Sequence, residues 1–167
     1  MTEEQSTMEQ HIHVLSTGVR VHLGTVSLAA LTDALKRIEQ PSVPKVLNQE
    51  TGREEEDREH PDYLAALDRA NMERAVVMMD VLALFAVDLV DGLPENDRWL
   101  KRLQLLERRG RLDLTNFNLE DTVDLEFLFT KYVALSLPDW TEILSTAGMG
   151  EDVVMEMVEA FAEMIGE

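Results

Sequence analysis

The fold is decided by one stretch of sequence, residues 61–90, which reads PDYLAALDRANMERAVVMMDVLALFAVDLV. Its apolar residues recur close to the helical period of 3.6. Those positions are Leu64, Leu67, Met72, Val76, Met79, Leu82, Phe85 and Leu89. Pro61 suits the first turn of a helix, and Gly92 and Pro94 are stop signals. We therefore predict one helix over residues 61–90, about 45 Å long, as the spine of the fold.

Further helices are predicted on both sides of this spine. Ser27 is a suitable N-cap for a helix that Pro41 ends. The chain after the spine favours helices at 95–109, from Asn118 or Thr122 to residue 136, at 139–147 and at 151–165. Residues 11–15 and 19–23 alternate polar and apolar side chains around the turn 16–18, which predicts a hairpin. The expected fold is mainly α, a bundle of about five helices with a small N-terminal β-hairpin.

Composition divides the chain into four parts. We expect a flexible tail at 1–10, the hairpin and first helix at 11–47, an acidic linker at 48–60 and the helical bundle at 61–167. The linker prediction rests on the segment from Asn48 to Asp62, which holds seven acidic residues, two arginines and Gly52. Such a sequence cannot bury enough apolar surface to order itself, so we predict that it is exposed and mobile.

The charge of the chain limits its partners. There are 33 acidic and 15 basic residues, a formal net charge of −18. A body this acidic repels nucleic acid and anionic membranes, so neither is expected as a partner. There is no cysteine, no signal-peptide layout, and the apolar run 75–90 is too short to span a bilayer and is interrupted by Asp80 and Asp88. We therefore expect a cytoplasmic protein.

Three histidines are the candidate metal ligands. His11 and His13 share a strand face, and the hairpin can bring His22 opposite them, which would place three imidazoles around one ion. The simpler interpretation is that they are exposed hairpin residues, since nothing nearby offers the hydrogen-bonding support that bound histidines need. We favour that interpretation and expect no metal or other cofactor.

The sequence offers little for catalysis. Asp80 and Asp88 lie eight residues apart, about 12 Å along a helix, which is too far for one acid–base pair. They fit the solvent edge of the spine better. The chain has no nucleophile elbow, phosphate-binding loop or HExxH motif. We therefore expect a protein that is not an enzyme.

Two other features bear on binding. The only basic stretch, residues 98–111, holds Arg98, Lys101, Arg102, Arg108, Arg109 and Arg111. We expect these side chains to neutralise acidic neighbours in the bundle. Methionines are frequent in the spine and in the last helix, where flexible thioethers suit surfaces that fit varied apolar partners, although core filling is the commoner role. We predict two protein-binding faces. One lies on the last helix and consists of Val154, Met157, Phe161 and Met164, and the other consists of exposed positions of the spine.

Several stretches together resemble a group of small proteins encoded among the tail genes of long-tailed bacteriophages, the tail assembly chaperone-like proteins. The stretches are PSVP (41–44), GREE (52–55), PDYLAAL (61–67), DGLPENDRWLK (91–101), LDL (112–114) and DLEFLFTKY (124–132). The similarity covers roughly residues 41–167 and leaves the hairpin outside. It rests on the linker, the helix start and the helix lengths, because the group has no catalytic signature.

The resemblance implies a chaperone that binds the tape measure protein in the host cytoplasm and keeps it soluble during virion assembly. It also implies a frameshifted longer form of the chain as a second partner, and a homo-oligomer remains an open alternative. Two other functions stay open: a structural adaptor of the phage tail, and an acidic inhibitor that imitates nucleic acid and binds a host protein.

Overall fold

The structure is a computed structural model that describes residues 12–165. The prediction of a flexible tail at 1–10 lies outside these residues, as do His11 and residues 166–167. The α-helices are α1 (Leu28–Leu35), α2 (Pro61–Phe85), α3 (Arg98–Arg108), α4 (Thr122–Phe129), α5 (Leu137–Thr146) and α6 (Glu151–Ile165), and a π-helical turn (Thr130–Ala134) continues α4. The strands are β1 (Ile12–Val14), β2 (Arg20–Leu23), β3 (Lys45–Leu47), β4 (Glu54–Glu56) and β5 (Val87–Leu89).

The fold is mainly α, as predicted, but it also contains a three-stranded antiparallel sheet in the order β1-β2-β5. The N-terminal hairpin forms as expected, with Ile12 opposite His22 and Val14 opposite Arg20. The third strand was not predicted. It makes the fold a helical assembly with an integral small sheet.

The spine helix is shorter than predicted. It begins at Pro61, with His60 accepting a hydrogen bond from the Asp62 N–H, and ends at Phe85. Residues 87–89 instead pair with β2, Leu23 opposite Val87. The segment VDL alternates apolar and polar residues, so it suits a strand as well as a helix, and the free edge of β2 decides between them. The predicted helix over 61–90 is therefore wrong in its last turn.

The predicted linker at 48–60 also needs correction. Residues 54–56 form β4, which pairs with β3 so that Lys45 lies opposite Glu56. The Asn48 side chain accepts a hydrogen bond from the Glu50 N–H in the turn between the strands. The three glutamates of β4 are exposed, as the linker prediction required. The error came from composition, since three successive glutamates carry no strand signal of their own.

The core lies where α2 meets the helices after it. α6 packs against α5 and α2, and α1 also packs against α2. The rings of Trp140 and Phe161 meet edge to face with their centroids 5.1 Å apart, and Trp99 meets Phe129 in the same way at 5.3 Å. Such pairs contribute about 0.5–1.5 kcal/mol each beyond the burial of their surface. They fix the positions of α3, α5 and α6.

Candidate functional site

One face of α2 is left partly uncovered by the rest of the fold. Met72, Val76 and Met79 lie along it at spacings of four and three residues, so they form one stripe. Val76 is 40% exposed, and Met72 and Met79 on either side of it are half-buried. The stripe is the floor of an open groove, because neighbouring elements rise on both sides of it.

The walls of this groove come from three other parts of the chain. The π-helical turn supplies Lys131 and Tyr132, the end of α6 supplies Glu163 and Met164, and Arg111 follows α3. We name this cavity of about 720 Å³ the methionine groove. Its lining residues are Arg69, Met72, Glu73, Val76, Met79, Arg111, Lys131, Tyr132, Glu163 and Met164. The groove therefore combines an apolar floor with a charged rim.

A largely buried cation stands at one end of the methionine groove. The Lys131 ammonium forms an ion pair with Asp80, and the Lys131 side chain is only 12% exposed. The same ammonium lies 5.1 Å from the centre of the Tyr132 ring and 5.9 Å from that of Phe127. These contacts offset part of the desolvation of the lysine. The π-helical turn carries both Lys131 and Tyr132, and such turns occur often at functional sites.

A second, smaller groove lies on the far side of the ion pair. It has a volume of about 320 Å³ and is lined by Asp80, Val81, Leu84, Phe117, Val123, Asp124 and Phe127. The rings of Phe117 and Phe127 stack with their centroids 5.8 Å apart. Leu84 is 45% and Val123 62% exposed. Apolar surface therefore continues along α2 beyond the methionine groove, interrupted by the Lys131–Asp80 pair.

The predicted binding face on α6 is only partly at the surface. Met164 lines the methionine groove. Val154 and Phe161 are buried in the core, where no partner can reach them, and Met157 packs against the same core. The periodicity of α6 identified an apolar stripe correctly, but α5 and α2 already cover most of it. Of the four residues predicted to form this face, only Met164, near the C-terminal end of α6, lines the groove.

The structure does not bring the candidate metal ligands together. His22 lies opposite Ile12 and Asp88 in the sheet, whereas His13 lies opposite Val21. Residues next to each other in a strand point to opposite faces, so His13 and His22 lie on different faces of the sheet. His11 is outside the described residues. Within residues 12–165 no cluster of three histidine, aspartate or glutamate side chains is arranged to hold a metal ion.

The two aspartates of the predicted spine have different surroundings. Asp80 lies in α2 and binds Lys131, while Asp88 is exposed on β5.

The basic stretch, residues 98–111, also differs from expectation. In the part of the chain that the structure describes, only Lys101 of that stretch forms an ion pair, with Asp97, the residue that precedes α3. The prediction that the basic stretch neutralises acidic neighbours of the bundle is therefore wrong as far as direct ion pairs go. The residues of the stretch that form none with residues 12–165 are Arg98, Arg102, Arg108, Arg109 and Arg111.

The sequence indicates exposed positions of the spine as a binding face but does not identify the methionine groove. Met72, Val76 and Met79 fall on the apolar stripe of the spine, and no motif marks Lys131 or Tyr132. The available signal is the frequency of methionine in the spine. A hydrophobic stripe shows which residues avoid water, and the covering of that stripe depends on how distant helices pack.

Comparison with known proteins does not assign the chain to a family. No family model, curated protein or solved structure matches the chain. Among residues 12–165, none of the helices is both long enough and apolar enough to span a bilayer.

Proposed function

We propose that this chain is a protein-binding assembly chaperone that takes an apolar helical segment of its client into the methionine groove. In line with the resemblance to tail assembly chaperone-like proteins, we propose the tape measure protein of a long-tailed phage as the client, bound in the host cytoplasm. The observation that carries the proposal is the uncovered stripe of Met72, Val76 and Met79, with walls on both sides.

The chemistry of the groove suits a helix that varies in sequence. Thioether side chains have several rotatable bonds and a polarisable sulfur, so they adjust to apolar side chains of different shape. An amphipathic helix laid in a groove is anchored by residues three and four positions apart. The groove presents its own floor at that spacing, through Met72, Val76 and Met79.

The charge of the chain supports the same role. A net charge of −18 keeps a complex soluble and separated from other complexes while an aggregation-prone segment is bound. The methionine groove presents apolar surface between charged side chains on this acidic body. We propose that the acidic surface keeps the complex soluble and that the groove binds the client.

The test is co-expression of the chain with the tape measure protein encoded nearest to it. We expect the wild-type chain to raise the soluble fraction of the client severalfold. Val76→Glu places a charge on the floor of the groove and is expected to abolish that gain, because burying an unpaired carboxylate against the client costs several kcal/mol.

Val153→Glu is the matched control. Val153 is 45% exposed on α6, against 40% for Val76 on α2, and it does not line the methionine groove. This variant is expected to behave as wild type. If both variants keep the client soluble, or if both fail although folded by circular dichroism, the groove is not the working site.

A structural adaptor of the tail is the second candidate, since an open groove also suits a permanent neighbour. Mass spectrometry of purified virions separates the two functions, because a chaperone leaves before the particle is complete. A stoichiometric amount of the chain in the virion would favour the adaptor.

An acidic inhibitor is the third candidate. It would capture a basic host protein through exposed glutamates such as those of β4, and this binding would weaken as salt is added.

A further inference from the structure

The smaller groove on the far side of the ion pair continues into a neighbouring cavity. That cavity has a volume of about 110 Å³, and Leu84, Val123 and Phe127 line both. The neighbouring cavity is bounded by β5 and by α4 as well as by α2. The two cavities therefore form one surface that spans these three elements.

All charged residues that line this surface are acidic. They are Asp80, Asp88, Asp124 and Glu126, and no lysine or arginine of residues 12–165 lines either cavity. Lys131 neutralises Asp80, whereas the other three carboxylates form no ion pair within the described part of the chain. The surface therefore keeps three unpaired negative charges, and we name the two cavities together the acidic groove.

The acidic groove also presents apolar side chains to solvent. Leu84 and Val123 are exposed, and the stacked rings of Phe117 and Phe127 line the same groove. Burial of such surface is the main favourable contribution to protein association. Carboxylates beside it favour a partner that combines apolar with cationic side chains.

The length of the groove suits a helix. Val123 and Thr130 both line it and are seven residues apart, which corresponds to about 10 Å along a helix. A partner helix lying beside α4 over that distance has about two turns in contact. An amphipathic helix in a groove is anchored by apolar side chains at positions i, i+3, i+4 and i+7, which also span about two turns.

The basic helix of a second copy matches this groove less well. α3 carries exposed arginines, but among its residues, all of which the structure describes, only Leu105 is a large apolar side chain exposed to solvent. A single apolar anchor does not cover a groove of two turns. Two copies that each carry a net charge of −18 also repel one another. The groove therefore favours a helix from another protein.

We infer that the acidic groove binds a basic amphipathic helix of another protein, whose apolar face covers Leu84 and Val123 and whose lysines or arginines contact Asp88 and Glu126. The acidic groove and the methionine groove share no lining residue. The inference therefore goes beyond the proposed function and does not depend on it. At physiological ionic strength, charges more than about 8 Å apart are strongly screened, so the carboxylates of the groove act on the partner more strongly than the rest of the body.

The experiment uses two synthetic helical peptides of about 14 residues, labelled for fluorescence anisotropy. Both carry leucine at positions i, i+3, i+4 and i+7 and differ only at the flanking positions, which are lysine in one and glutamate in the other. Binding is measured at physiological ionic strength to the full chain, to Asp88→Asn/Glu126→Gln and to Asp68→Asn/Glu156→Gln. Asp124 is left unchanged because its carboxylate also accepts a hydrogen bond from the Asn118 N–H, at 2.7 Å.

Asp68→Asn/Glu156→Gln is the matched control. Asp68 and Glu156 are exposed, form no ion pair among the described residues and do not line the acidic groove. Both double variants remove two negative charges. We expect the wild-type chain and the control to bind the lysine peptide roughly tenfold more tightly than the glutamate peptide, and Asp88→Asn/Glu126→Gln to reduce this preference to about threefold or less.

Leu84→Ser tests the apolar part of the site. It is expected to weaken binding of the lysine peptide roughly tenfold, because it removes apolar surface that the peptide buries. Val153→Ser is its control, since Val153 is 45% exposed, as Leu84 is, and lies on α6 outside the acidic groove. We expect Val153→Ser to bind the peptide as wild type does.

Several outcomes would overturn the inference. They include failure of both peptides to bind, equal affinity for the two, and a loss of preference as large in the charge control. Loss of lysine-peptide binding in Val76→Glu but not in Leu84→Ser would place the peptide in the methionine groove. A dimer in sedimentation that Asp88→Asn/Glu126→Gln dissociates would place a second copy in the acidic groove instead. The proposed function is judged separately, by the effect of Val76→Glu on client solubility.

Discussion

Asp139 joins the turn of the N-terminal hairpin to the start of α5. Its carboxylate accepts hydrogen bonds from the backbone N–H and the hydroxyl of Ser16, at 2.8 and 2.9 Å, and from those of Ser136, both at 2.9 Å. Burial by itself raises the pKa of this carboxyl, but the hydrogen bonds from Ser16 and Ser136 together outweigh burial, and the pKa lies below its usual value. One residue thereby connects segments more than 100 positions apart in the chain.

We predict that Asp139→Asn lowers the free energy of unfolding by about 2 kcal/mol at neutral pH, because bonds to a charged acceptor become bonds to a neutral one. The folded-state pKa is lowered, so the stabilisation is complete above the unfolded pKa of about 4 and is lost as the pH falls through the folded value. Urea denaturation at several pH values measures both effects.

The exposed Asp88 provides the control, since Asp88→Asn is expected to leave stability within about 0.5 kcal/mol of wild type. The gap between wild type and Asp139→Asn should narrow as the pH falls below the unfolded pKa of about 4 and close once the pH is below the lowered folded pKa. A gap that persists unchanged in acid would mean that the charge of Asp139 contributes nothing.

At the scale of elements, the β3–β4 hairpin depends on local geometry. All six of its strand residues are exposed, so it has little apolar burial to hold it. Its turn closes through a hydrogen bond from the Gly52 N–H to the Asn48 carbonyl, at 2.8 Å. Gly52 has a φ of +67°, a conformation that costs other residues about 1–2 kcal/mol.

We therefore predict that Gly52→Ala opens this hairpin without unfolding the rest of the chain. Amide hydrogen exchange in β3 and β4 should accelerate roughly tenfold, while the melting temperature stays within about 1 °C of wild type. Gly24→Ala is the control, because Gly24 does not have a positive φ and a Cβ there meets no atom within 4 Å. Acceleration throughout α2 as well would show that the hairpin belongs to the main cooperative unit.

The π-helical turn after α4 is the other element with a consequence for function. It separates α4 from α5 and directs Lys131 and Tyr132 toward the groove, while Thr130 and Ala134 remain buried. The Thr17 hydroxyl donates a hydrogen bond of 2.6 Å to the Ala134 carbonyl, which holds the hairpin against the end of this turn. The sheet thus supports one wall of the methionine groove from behind.

At the scale of the whole molecule, electrostatic repulsion opposes folding. Three of the four ion pairs in the described residues join exposed side chains. Each such pair stabilises the folded state by only about 0–1 kcal/mol. These pairs therefore do little to offset the repulsion that arises from a net charge of −18. We predict that raising NaCl from about 20 mM to about 500 mM increases the melting temperature by roughly 2–6 °C, because screening weakens the repulsion.

Differential scanning calorimetry measures this increase, and KCl at equal ionic strength should produce the same shift. A melting temperature that falls with added salt would mean that attractive pairs outweigh the repulsion. A shift that differs strongly between the two salts would point to specific ion binding.

Much of the architecture was determined by local sequence. Ser27 accepts the hydrogen bond of the Ala30 N–H as an N-cap, Pro61 begins α2, and α6 spans 151–165 as its apolar spacing predicted. These features depend on residues within one or two helical turns, where capping, proline geometry and periodicity act. The acidic character of the chain, which limits its partners, was likewise determined by composition alone.

Tertiary structure alone decided the end of α2, the placement of Val154 and Phe161, and the existence of the groove. Residues 87–89 became a strand because β2 offered a free edge, and Val154 and Phe161 became core because α5 and α2 covered them. The stripe of Met72, Val76 and Met79 reads in sequence like any buried stripe. Whether such a stripe stays open depends on packing between elements far apart in the chain, which local periodicity does not encode.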